Sequence, residues 1–167
     1  RDISGHGTKL ASIAAGSENR ETGWIGAAPL SSIAMVKLKP AKRYLKEYFL
    51  VPEEAEAYQE NDIMLGSRFL HELAQKESLP LVICLALGSN MVGHTGTSPL
   101  SSYLNAIAVR ASRCIILAGG NEANQGHHYY GVMGEGDPYQ DVEVRVAERE
   151  QGVMMELWSN TLDVFSV

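Results

Sequence analysis

Near the start of the chain a histidine sits between glycines at the head of an alanine-rich stretch, Ser4-Gly-His-Gly-Thr-Lys-Leu-Ala-Ser-Ile-Ala-Ala-Gly16. Flanking glycines strip back the neighbouring side chains, so the imidazole can face a cleft. That suits a general base that takes a proton from a hydroxyl and returns it to a leaving amine. Taken alone, Gly5-His6-Gly7 better suits a histidine that caps a helix in a glycine turn. The other chemistry-bearing residues point elsewhere. Gly96-Thr-Ser98 runs into Pro99, which reads as a serine N-cap with proline at the first helical position. Cys84 and Cys114 lie in apolar runs and read as free, buried strand thiols, with no base at a fixed offset to activate either. His94, His127 and His128 show no Cys-x2-Cys or His-x3-His spacing with them, so no metal is expected. His127-His-Tyr-Tyr-Gly131 reads as a surface loop. Asn121 closes an apolar run after two glycines, where asparagine is a common turn residue.

The elements that must position these residues are legible from periodicity. Leu10, Ile13 and Ala14 repeat at helical spacing over 7–16, with Gly16 as a stop. Gly26-Ala-Ala-Pro29 is a turn, followed by an expected strand over 32–38. Residues 62–76 read as a helix with Asp62 at its N-cap and Ile63, Leu70, Leu73 and Ala74 on one face. The near-continuous apolar run over 79–87 suits a parallel strand covered on both faces. A helix from Pro99, with Tyr103, Leu104, Ile107 and Ala108 inward, leads to a strand over 113–118. Alternating strands and helices predict an α/β fold with a doubly wound parallel sheet, whose ligands bind at the carboxyl ends of the strands.

Two stretches break this grammar. Residues 39–58 are basic and aromatic, then acidic, and read as an insertion holding a short helix and a loop. They are too short and too neutral for an RNA surface and suit a solvated face. After Gly136, Val142, Val144 and Val146 alternate with charges, as do Val153, Met155 and Leu157 with other side chains, around a turn at Glu150-Gln-Gly152. That is antiparallel hairpin patterning. Charge changes at the same place: residues 1–134 hold 12 acids and 12 bases, residues 135–167 hold 8 acids and 2 bases. A domain boundary near Gly134 is expected. The net charge of −6 argues against a nucleic-acid partner, and no apolar run is long enough for a membrane helix.

The stretch from His6 resembles the histidine signature of the subtilisin-like serine proteases (subtilases, peptidase family S8), His-Gly-Thr-His-Val-Ala-Gly-Ile-Ala-Ala-Gly. Lys9 replaces the second histidine, Leu10 the valine and Ser12 a glycine. Three further segments follow in the family's order. Gly26-Ala-Ala-Pro29 is similar to Gly-Val-Ala-Pro, Ala86-Leu-Gly88 to Ser-Leu-Gly, and Ala118-Gly-Gly-Asn-Glu122 to Ala-Ala-Gly-Asn-Glu. The resemblance implies that His6 is the catalytic base and Asn121 the oxyanion-hole donor. It also implies that Ala86, Leu87 and Gly88 line the substrate groove, with a peptide or protein as substrate and no cofactor. Calcium is common in the family, but no acidic loop of calcium-binding spacing appears. Asp2 matches an acid that often precedes the motif outside the triad. Both ends read as cut, so the triad aspartate is expected upstream and the serine downstream. The insertion and the late strands look like clostridial Csp-type subtilases linked to spore germination. That likeness implies a partial subtilase catalytic domain over 1–134 and the start of an inserted, β-rich, jelly-roll-like domain over 135–167. Some Csp-type members have lost triad residues, so a non-catalytic, protein-binding pseudoprotease is the alternative.

Overall fold

The computed structural model describes residues 2–150 and 152–159. Among the described residues six elements run in the order α1 (His6–Ala15), α2 (Arg43–Tyr48), α3 (Glu60–Lys76), β1 (Leu81–Leu85), α4 (Pro99–Ala108) and β2 (Arg113–Leu117). They fall into two compact units, Arg1–Lys37 and Leu38–Val167.

In the first unit, α1 begins at His6 behind Gly5, whose φ of 75° is a left-handed conformation that glycine adopts without a Cβ penalty. Its far end is closed by the turn at 26–28. The N–H groups of Gly26, Ala27 and Ala28 donate to the carbonyls of Gly16, Ile13 and Ala14 at 2.9, 3.0 and 2.8 Å. A helix leaves its last carbonyls without partners, and this turn satisfies two of them and the C-cap carbonyl. The approach needs a glycine: a Cβ on Gly26 would sit 2.7 Å from the Ser12 carbonyl and closer still to the Gly16 nitrogen. The apolar stripe of α1 is not buried, and Ile13 is largely exposed. Residues 32–38, expected as a strand, join no ladder among the described residues, because a strand is stable only when its backbone groups meet a partner's.

The second unit opens with the insertion. Its base is pinned where Ala41 N–H donates to the Ala57 carbonyl at 2.7 Å, beside an antiparallel bridge of Pro40 with Tyr58. The expected short helix is α2. Lys46 folds back from it and donates to the carbonyls of Glu53 and Ala55. Tyr48 and Phe49 meet edge to face at 4.9 Å.

The centre of the unit is a β1–α4–β2 crossover. The two strands pair in parallel with Ile83 opposite Ile115 and Leu85 opposite Leu117. Helices α3 and α4 pack against each other, α3 on β1 and α4 on β2. Ile83, Leu104, Ile107 and Ala74 are buried between them, Ile83 to 2% exposure. Helix α3 begins two residues earlier than expected: Gln59 is its N-cap, and Asp62 lies in the first turn with Glu60, where a carboxylate favours the helix dipole. Helix α4 starts as read, with Ser98 Oγ accepting from Ser101 N–H at 3.1 Å and Pro99 next in line.

The second unit is thus an α/β arrangement with a parallel pair at its centre. The described sheet has two strands, and residues 142–150 and 152–159 form no ladder. Gln151 of the expected turn, and the run beyond Ser159, lie outside the described residues. The cysteines depart from expectation. Both thiols are free, but they are exposed rather than buried. Side chains alternate along a strand, and α3 and α4 cover only the face bearing Ile83. Cys84 and Cys114 point the other way with Val82 (67% exposed) and Ile116 (52%). No described helix is long and apolar enough to cross a membrane.

Candidate active site

His6 is the first residue of α1 and is exposed. The loop before it is organised by Asp2. Its carboxylate accepts from Gly5 N–H at 2.9 Å and from Thr8 N–H and Oγ1–H at 2.8 and 2.7 Å. These donors hold the Asp2 carboxyl at about 2, well below its ordinary value of 3.8. The Thr8 hydroxyl contributes most, then the Thr8 and Gly5 amides. An ionised carboxylate thus fixes the turn that presents the histidine and faces the positive end of α1. Its oxygens are committed to this loop.

The second unit carries the other candidates. Ala86, Leu87 and Gly88 leave the end of β1, and Asn121 follows β2 by four residues. Parallel pairing sends both segments out at the same edge of the sheet. Ala118 N–H donates to the Leu85 carbonyl at 3.1 Å, extending the ladder to where they begin. Gly120, immediately before Asn121, holds a φ of 82°, a value that strains any side-chain-bearing residue. Asn121 is exposed.

A cluster that the motif reading passed over joins these loops. Asn90 and Glu122 each lie five residues past the end of their strands, Leu85 and Leu117. Asn90 Nδ2 donates to Glu122 Oε2 at 2.5 Å. His127 Nδ1 stands 3.0 Å from the same oxygen and 3.1 Å from Asn90 Nδ2. The Asn90 amide, then His127, lower the Glu122 pKa below its usual value. Beside them, the rings of His94 and His128 meet at 5.7 Å. The signal for the pair was the equal offset from two register-matched strand ends, which becomes readable only once the register is known.

Ser98 is engaged with Ser101 through both backbone and hydroxyl, as its N-cap reading requires. Among the described residues, no group of three or more His, Cys, Asp or Glu side chains is arranged to hold a metal ion.

The subtilase family model matches residues 1–140, which include the histidine segment, both strand-end loops and Asn121. The chain belongs to the subtilase family. Among solved structures, this subtilase chain is similar to the Clostridium perfringens CspB protease, with 32% identity and a TM-score of 0.64. The likeness covers 75% of this chain and 24% of that one, so the subtilase chain described here spans about a quarter of the length of its solved relative. That likeness agrees with the Csp-type resemblance of the sequence. A search of curated proteins found no match.

Proposed function

We propose that this chain is part of a subtilisin-like serine endopeptidase and contributes its base and its oxyanion donor. In this reading His6 takes the proton from an attacking serine hydroxyl and hands it to the leaving amine. The Asn121 amide donates to the oxyanion that forms on the scissile carbonyl, a contact whose loss costs on the order of 10²–10³ in rate. Residues 86–88 continue β1 outward and offer backbone groups to an extended peptide, as an added strand would use them. The triad aspartate and serine belong to parts of the parent protein outside these 167 residues. Residues 1–134 are the partial catalytic domain, whose full sheet is doubly wound. Residues 135–167 begin an inserted β-rich domain; the alternating runs from Val142, which form no ladder among the described residues, would pair only with the rest of that domain in place.

The observation that carries the reading is the parallel pairing of β1 and β2 in a chain of this family. It sends residues 86–88 and 118–121 out at the same, carboxyl, end of the strands, and strand ends of that kind are where α/β enzymes build their sites. The test uses the full-length parent protein and a fluorogenic peptide. Hydrolysis should fall by several orders of magnitude in His6→Ala, since removing a triad histidine costs on the order of 10⁶. It should fall about 10²–10³-fold in Asn121→Ala. The 167-residue chain alone should be inactive. A parent protein that binds its partners but shows no hydrolysis, with or without His6, would establish the pseudoprotease instead.

A further inference from the structure

The geometry points to Glu122 as a positioning residue that fixes the oxyanion loop against the substrate loop by gripping Asn90. The inference rests on the peptidase reading of Asn121 and adds to it a device outside the triad and the oxyanion hole. Asn121 stands at a mechanically weak place. It follows Gly119 and Gly120, the residues with the greatest backbone freedom to lose. An oxyanion donor works only if its nitrogen is held at about 2.7–3.1 Å from the developing charge. Something must therefore remove the freedom that the glycines introduce.

The next residue supplies the restraint. Glu122 Oε2 accepts from Asn90, on the loop that continues the 86–88 segment, and lies within hydrogen-bond distance of His127, five residues further along its own loop. The Glu122 carbonyl also accepts from Gln125 N–H at 3.0 Å, closing a turn directly after the asparagine. One residue is thus held by side chain and main chain, with Asn121 between it and the glycine pair. The Asn90 loop is in turn anchored from its other side, where Val92 N–H donates to Glu156 Oε2 at 2.6 Å. The same oxygen accepts from Trp158 Nε1 at 2.9 Å. An ionised acceptor makes the stronger hydrogen bond, which favours a carboxylate over an amide at 122.

The experiment exchanges donor and acceptor in the full-length protein. Glu122→Ala and Asn90→Asp both break the grip, the second by facing two carboxylates. Each should lower kcat roughly tenfold with little change in KM, the loss of one charged hydrogen bond. Glu122→Gln keeps an acceptor and should lose less. The swap, Asn90→Asp with Glu122→Gln, restores a donor opposite a carboxylate and should recover most of kcat. Amide hydrogen exchange over 119–123 should quicken in both broken variants and slow again in the swap. Unchanged exchange and kcat in Glu122→Ala, or a swap no better than Asn90→Asp alone, would overturn the assignment. Hydrolysis that persists in His6→Ala would instead count against the peptidase reading, while the exchange measurements still decide whether Glu122 holds the loop.

Discussion

Gly26 N–H donates to the carbonyl of Gly16 at 2.9 Å, and so the second motif of the chain closes the helix begun by the first. The two segments are joined by backbone contact, with both partners required to lack a side chain. This explains why His6 and the turn at 26–28 belong together: the turn terminates the helix whose other end carries the histidine.

Gly26→Ala should therefore destabilise the first unit by about 1–3 kcal/mol, the range for forcing an extra carbon into packed backbone. Urea unfolding of the chain, paired with limited proteolysis over the first 37 residues, checks this. Ala28→Gly, which keeps the donor and adds no atom, should have a much smaller effect.

Asp2 sets the opposite end of the same helix. Its carboxyl titrates at about 2 in the folded chain against an ordinary 3.8. The folded state thus binds the proton more weakly than the unfolded state does. The stability it contributes is present above pH 3.8 and is lost as pH falls toward 2. A carbon-detected NMR titration should give a midpoint near 2, and Asp2→Ala should speed hydrogen exchange at the Thr8 amide.

His71 works in the same pH direction, nearer neutrality. It is buried on α3, where Nδ1 accepts from Arg113 Nε at 3.2 Å. Nε2 has no partner among the described residues. Burial chiefly, then the charges of Arg110 and Arg113, lower its pKa. The unfolded imidazole takes up a proton near pH 6.5 while the folded one resists. Stability is therefore full above about 6.5 and declines as pH falls below it. Urea midpoints measured between pH 8 and pH 5 should show this decline, and His71→Gln should flatten it.

Ser98 has a structural task. Removing its cap on α4 in Ser98→Ala should cost about 1 kcal/mol of stability and leave the parent protein's hydrolysis intact. Mass spectrometry after fluorophosphonate treatment should find Ser98 unlabelled. Labelling there would make the Gly96-Thr-Ser98 segment the nucleophile motif.

What the sequence determined by itself is local. Helices α1, α3 and α4 and the two strands were readable because periodicity, caps and apolar runs act within a few residues of one another. Ser98 and Pro99 mark the start of α4 for that reason, and the histidine motif marks the family. Tertiary structure decided what depends on covering and register. The cysteines read as buried because apolar runs usually are, but α3 and α4 lie on one face of the strands and the thiols point to the other. The 32–38 run is apolar enough for a strand, yet a strand exists only where another offers its backbone. Asn90 and Glu122 stand 32 residues apart in the chain. Only the matched ends of β1 and β2 make them neighbours, and the side-chain bond that results forms across a sheet edge, where sequence separation carries no information about distance.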